Sequence, residues 1–304
     1  SKITTSRKEK DRAQILSGVF QGKTTGTPIA IWIANQDADS SKYEDIKDLF
    51  RPGHADFTYF KKYGFRDYRG GGRSSARETA GRVAAGVIAK KLLALKKIKV
   101  IAYTKQIGSI VAEKINFNEI EKNIVRCPDK NKAEEMVDYI MKLRKRGDSA
   151  GGIVEVIVKG VPPGFGEPVF DRLDADLAKA MMSLPAVKGI EFGVGFKAAE
   201  MTGSQCNDRF TTEGNKIVTK TNNAGGVLGG ISNGMDIIFR LVVKPTSSIL
   251  IEQDTVDVKG RKASIRVEGR HDPCVSPRAV PIAEAMTALT LLDHLFRNEH
   301  SKLR

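Results

Sequence analysis

Two short stretches pair a histidine with an arginine and an aspartate: Arg51-Pro52-Gly53-His54-Ala55-Asp56 and Arg270-His271-Asp272-Pro273-Cys274. A loop imidazole beside a carboxylate can take or give a proton near neutral pH, and the arginines would hold an anion close by. A satisfied hydrogen bond within a loop is the commoner role of such residues. Arg69-Gly70-Gly71-Gly72-Arg73-Ser74-Ser75 carries a second kind of chemistry, because three glycines let the backbone approach a ligand while arginines and hydroxyls stand where a helix begins. That combination suits a phosphate. It lacks the Gly-Lys-Ser/Thr ending of a P-loop and the strand-linked GxGxxG of a dinucleotide fold; a plain glycine turn before a capped helix weighs about as much. Lys244-Pro245-Thr246-Ser247-Ser248 offers an ammonium and three hydroxyls for a phosphate or a ring edge, or else an ordinary turn. Gly225-Gly226-Val227-Leu228-Gly229-Gly230 allows backbone to lie against a flat ligand or to pack tightly between strands.

These residues need elements to position them. The apolar spacing from Ala76 to about Lys97 predicts a long amphipathic helix, with Ser75 as N-cap and Glu78 completing a capping box. Further helices are expected over 133–145, 172–183 and 280–297, the last with Ile282, Met286, Leu289, Leu292 and Leu295 along one side. Strands are expected over 27–36, 152–161, 237–243 and 263–267. Helices inserted irregularly between strands indicate an α+β layered fold, and the absence of a linker or repeat favours one domain over residues 1–304. His294 reads as structural within the last helix and His300 as solvated.

The chain has 304 residues, 50 Lys+Arg against 36 Asp+Glu, and a formal net charge of +14. So basic a protein favours anionic partners. No run of eighteen apolar residues suggests a membrane span. Cys127, Cys206 and Cys274 are too few and too scattered for a disulfide framework or a metal cluster, so a reducing, cytoplasmic setting is expected and no metal ligand is assigned.

Taken in order, RPGHADFTYFKKYGFRDYRGGGRSSARETAGRVAAG, GEPVFDRLDADLAKAMMSLPAVKGIEFG, TNNAGGVLGGISNG, KPTSSI and GRHDPCVSPRAVPIAEAM resemble the signature blocks of the chorismate synthases across nearly the whole chain. The resemblance implies a lyase of the shikimate pathway that removes phosphate from 5-enolpyruvylshikimate 3-phosphate by anti-1,4-elimination, giving chorismate and requiring reduced FMN. It implies a β-α-β sandwich with antiparallel sheets enclosing helices, and a homotetramer. It assigns catalysis to His54, as a proton donor toward the flavin, to Asp272, which helps the flavin accept the substrate proton, and to Ser75, which supports that relay. Flavin contacts fall on Arg73, Ser74, Ser75, Pro185, Ala186, Gly229, Lys244, Pro245, Thr246, Ser247, Ser248 and Arg270. NADPH enters as an indirect reductant, with Lys2 where many members carry an arginine. A family block with a second catalytic histidine has no counterpart, so the chain is expected to start inside the family pattern. The competing class, a basic nucleic-acid-binding protein, would interleave Lys/Arg with exposed aromatics on one surface; here Phe57, Tyr59, Phe60, Tyr63, Phe65 and Tyr68 cluster between two candidate loops. Neither nucleic acid nor a membrane is expected as a partner.

Overall fold

The structure is a computed structural model and describes residues 3–4, 11–37, 41–69, 75–269 and 271–301. In chain order the elements begin with β1 (Ala13–Ile15), β2 (Val19–Phe20), β3 (Lys23–Thr24), β4 (Ile31–Ile33), α1 (Asp56–Tyr63) and α2 (Thr79–Leu95). Then come β5 (Lys99–Ile107), β6 (Ile110–Val111), α3 (Lys130–Lys145), β7 (Gly152–Lys159), α4 (Leu173–Met182), β8 (Val187–Phe192) and α5 (Gly203–Cys206). The chain finishes with β9 (Phe210–Glu213), β10 (Lys216–Thr219), β11 (Val227–Leu228), β12 (Ile231–Ser232), β13 (Ile237–Val243), β14 (Gln253–Val256), β15 (Lys262–Ile265) and α6 (Ser276–His300).

The centre is a five-stranded antiparallel sheet in the order β6-β5-β7-β13-β8. Alternation decides its two faces. Val154, Val156 and Val158 of β7 and Ile237, Phe239, Leu241 and Val243 of β13 point to one side and are buried with Leu93, Leu177, Met181, Ala283 and Leu291 of the helices. α6 lies on β5 and β7, with α2 and α4 packed against α6 and β4 against α2, so the helices have strand partners in both the sheet and the β1–β4 ribbon. This is an α+β fold, as expected. By length and composition α6 would cross a membrane, yet eleven of its residues are buried in this core.

Two local details differ from the sequence expectation. Ser75 accepts from Arg77 N at 3.2 Å and starts a 3-10 turn over Ala76–Glu78, and Glu78 pairs with Arg82 at 2.9 Å instead of closing a capping box. α6 begins at Ser276 and absorbs Pro281, whose missing N–H would leave the Pro277 carbonyl without its helical donor; Arg126 Nη1 donates to that carbonyl at 2.9 Å.

The opposite sheet face carries a polar row in cross-strand register: Tyr103 of β5, Glu155 of β7, Arg240 of β13 and Glu191 of β8. The Tyr103 hydroxyl donates to Glu155, and Arg240 reaches Glu155 at 3.4 Å and Glu191 at 2.6 Å. Burial, reinforced by Glu155, drives the Tyr103 hydroxyl far above the usual phenol range.

Candidate active site

Three loops meet where β13 ends. The first follows the pattern of a tight turn, with Pro52 and Gly53 at its centre, His54 N donating to Arg51 O at 3.2 Å, and Gly53 at φ +66°. Positive φ is what glycine supplies here. The Gly53 carbonyl then accepts from Lys244 Nζ and, at 2.7 Å, from Ser247 Oγ, which joins the His54 loop to the segment leaving β13. Thr246 Oγ1 donates to the Asp272 carbonyl at 2.7 Å and Ser149 Oγ to the Thr246 carbonyl at 2.7 Å, so the same segment holds the third loop. Lys244 N donates to Ala186 O at 2.9 Å, bringing the turn after α4 into the group. Ala186 adopts φ +69°, a conformation that costs a residue with a Cβ on the order of 1 kcal/mol or more.

Around His54 the charges are ordered by one buried carboxylate. Asp56, at the N-terminus of α1 and only 6% exposed, accepts from Arg51 Nε at 2.7 Å and Arg51 Nη2 at 2.9 Å, and pairs with Arg66 at 3.3 Å. Burial by itself would raise the Asp56 carboxyl, but hydrogen bonds from Arg51 and His54 and the guanidinium charge outweigh it and hold the group far below the usual carboxylate range. Arg66 also donates to the carbonyls of Lys47 and Leu49 at 2.7 Å each, fixing the approach to the loop.

His54 Nδ1 lies 3.0 Å from Asp56 Oδ1 and 3.2 Å from Arg51 Nη2. Protonated, it donates to the carboxylate; deprotonated, it accepts from the guanidinium. The ring therefore keeps a Nδ1 partner in every protonation state, and Nε2, with no protein partner among the described residues, is the nitrogen left for proton exchange with a ligand.

Asp272 pairs with Arg278 Nε at 2.8 Å, and its loop is fastened again where Ala150 N donates to Pro273 O at 2.8 Å. Lys244 is lowered from the ordinary ammonium value by burial and then by the like charge of Lys188. His271 is lowered by burial and by the charges of Arg51 and His54, against a smaller opposing pull from Asp272.

The structure thus gathers His54, Asp272, Ala186 with its neighbour Pro185, and the Lys244–Ser248 segment. Ser75 stands at the turn preceding α2 and shares no hydrogen bond with His54. Gly229 is not brought to these loops within the chain. Its neighbour Gly230 accepts from Leu173 N at the start of α4, and its hairpin precedes β13, whereas Ala186 and Lys244 follow the far ends of those elements. At about 3.3 Å per residue the seven residues of β13 separate the two by roughly 20 Å. Lys2, Arg73, Ser74 and Arg270 lie outside the described residues. The sequence reading overlooked Arg66 and Ser149, which reach the site from beyond α1 and from before β7; no spacing rule connects them to His54 or Thr246.

An α+β scaffold whose loops set a histidine among buried cations and a second carboxylate has the make-up of an enzyme's active site, with groups suited to proton transfer beside an anion. The comparisons with known proteins make this particular. A model of the chorismate synthase family matches residues 1–296. The chorismate synthase of Methanosarcina mazei is 56% identical over 303 residues, covering 98% of this chain and 83% of that protein. That of Roseiflexus castenholzii is 55% identical over 304 residues, covering 100% and 85%. A crystal structure described as chorismate synthase superposes with a TM-score of 0.74 at 35% identity, over 94% of this chain and 78% of that one. The chain belongs to the chorismate synthase family and is a carbon–oxygen lyase.

Proposed function

We propose that these loops hold reduced FMN against 5-enolpyruvylshikimate 3-phosphate and direct the anti-1,4-elimination of its phosphate to give chorismate. The observation that carries the reading is the fastening of the His54 loop, the Lys244–Ser248 segment and the Asp272 loop to one another through the Gly53 carbonyl and Thr246. The residues present suit the flavin. Lys244 and the hydroxyls of Thr246, Ser247 and Ser248 supply cation and donors for a phosphate or a ring carbonyl, and the buried Nε2 of His271 lacks a partner among the described residues. When bound, the reduced flavin supplies electron density to a ring that is losing an allylic leaving group.

The protein's share is orientation and proton control. Arg51 and Arg66 concentrate positive charge beside His54 while Asp56 keeps that charge in register. His54 holds a proton at Nε2 for delivery toward the flavin, its Nδ1 anchored to Asp56 throughout. Asp272, oriented by its ion pair with Arg278, assists removal of the substrate proton. Arg73, Ser74, Ser75 and Arg270 complete the flavin contacts in this reading, and NADPH serves as indirect reductant, with Lys2 toward its phosphates.

The same reading takes residues 1–304 as one domain working in the cytoplasm, where the three thiols stay free, and as a homotetramer. The outer face of β7 and β13 supports an assembly: Ile153, Ile157 and Ile238 are half-buried and Val242 is 40% exposed around the Glu155–Arg240 row. A second copy would also bring Gly229 to a site that its own chain does not reach. The test is anaerobic titration with FMN and the enolpyruvyl substrate, read by flavin absorbance and phosphate release. Substrate-dependent tightening of reduced flavin, with stoichiometric phosphate, is expected; equal affinity for oxidised and reduced flavin in the presence of substrate would overturn the reading.

A further inference from the structure

His271 directly precedes Asp272 in the chain, yet its imidazole is built into the site more firmly than a loop residue needs. The two residues that follow it are clamped, by Thr246 Oγ1 on the Asp272 carbonyl at 2.7 Å and by Ala150 N on the Pro273 carbonyl at 2.8 Å. The ring edge lies on Gly269 so closely that a Cβ there would stand 2.6 Å from Nε2 and 3.1 Å from Cδ2. A side chain at position 269 would push the imidazole out of this place. Despite this fit, Nε2 is buried and has no hydrogen-bond partner among the described residues.

An unmade hydrogen bond on a buried ring nitrogen is costly, and native structures retain such atoms where a ligand completes them. The charges of Arg51 and His54 act on the ring. Cations nearby disfavour an imidazolium. Burial and those charges push the proton affinity of the ring below the ordinary value. In the neutral ring with its hydrogen on Nε2, that nitrogen is a donor whose natural partner is an acceptor on an electron-rich, anionic ligand.

We infer that His271 is a further ligand-binding residue of this site, its Nε2–H donating to an acceptor atom of the flavin or of the enolpyruvyl substrate bound there. The inference rests on the reading of the site as the flavin and substrate site. It assigns His271 binding and positioning, and leaves proton exchange to His54 and Asp272.

Four histidines make the test tractable. In protein carrying ¹⁵N-labelled histidine, His271→Gln identifies the His271 resonances by their loss. Without ligand, His271 is expected to show a neutral ring at pH 7. Addition of FMN, then of FMN with the enolpyruvyl substrate, should shift its Nε2 resonance at the step that supplies the acceptor; the first step points to the flavin and the second to the substrate. His271→Phe, which fills the space without a donor, should weaken binding of that ligand by about tenfold to a hundredfold, the factor one unmade buried hydrogen bond brings. His271→Gln, whose amide reaches the Nε2 position, should restore most of it. A Nε2 resonance unmoved while flavin absorbance reports full occupancy would overturn the inference, as would a correctly folded His271→Phe that binds both ligands like the parent. If His271→Phe fails to fold, the labelled parent decides alone. Failure of the parent to bind flavin at all is a different result; it removes the reading of the site itself and this inference with it.

Discussion

At the scale of single residues, the site depends on how Asp56 is held. Asp56→Asn removes the charge that Arg51, Arg66 and His54 share, leaving two buried guanidinium groups without their counter-ion. A loss of roughly 2–4 kcal/mol in folding stability at pH 7 is expected, measurable by chemical denaturation. The pH dependence follows from the sign of the shift. A carboxyl lowered in the folded state contributes stability above its unfolded value of about 3.9 and loses it as pH falls toward the folded value. The parent should therefore lose stability steeply below about pH 4, and Asp56→Asn should show a flatter acid limb from a lower starting point. An acid limb of equal slope in both proteins would assign the slope to other carboxyls. His54→Ala and Asp272→Asn keep the loops but remove the groups we propose to handle protons; turnover should fall by about a hundredfold or more while flavin and substrate still bind. Turnover at the parental rate by either variant would make that residue structural.

At the scale of elements, the helical layer is set by a close crossing. A Cβ on Gly86 of α2 would lie 2.3 Å from Ala285 Cβ and 2.6 Å from Ala285 Cα of α6, so the two backbones touch where neither has a bulky side chain. Gly86→Ala would gain about 1 kcal/mol of helix propensity if the position were exposed. Here the clash is with backbone that cannot rotate away, and overpacking of about 1–3 kcal/mol wins. A lowered thermal midpoint for Gly86→Ala is the expected result, and a raised one would show that the helices separate freely. The site should feel the same change, because α6 starts two residues after Cys274 and its first turns carry Arg278, the partner of Asp272. At the other end, buried His294 contacts Asp176 at 3.0 Å and ties α6 to α4, the helix that leads to Pro185 and Ala186.

At the scale of the whole molecule, the two sheet faces differ in what they leave unpaired. One is closed by α6, α4 and α2; the other presents Ile153, Ile238 and Val242 around a charged row that is itself satisfied. If that face joins copies of the chain, Val242→Asp should dissociate the assembly. Analytical ultracentrifugation would read a smaller particle with unchanged far-ultraviolet circular dichroism, since the substituted residue is 40% exposed within the protomer. An unaltered sedimentation coefficient would exclude this face from the interface. Loss of flavin affinity together with dissociation would further place Gly229 of one copy at the site of another.

Much of the fold was legible along the chain. β13 is found where its β-rich composition placed it, over Ile237–Val243, because a strand buried on one face must alternate with period two. The helices ending at Lys145 and Met182 are likewise written in three- and four-residue apolar spacing. The motif order was enough to identify the family, and local chemistry pointed to His54, Lys244–Ser248 and Asp272, since a loop histidine beside a carboxylate and a hydroxyl run after a strand are short-range patterns. What the chain could not show is which patterns meet. Arg66 reaches Asp56 across a helix, Ser149 reaches Thr246 across two sheet strands, and Glu155 meets Arg240 85 residues away through strand register. Gly229, grouped with the other candidates by motif, lies a strand's length from them. Such pairings depend on how the sheet orders its strands and on which side the helices cover, and those are settled by burying all the apolar faces at once, a property of the tertiary structure that no local spacing contains.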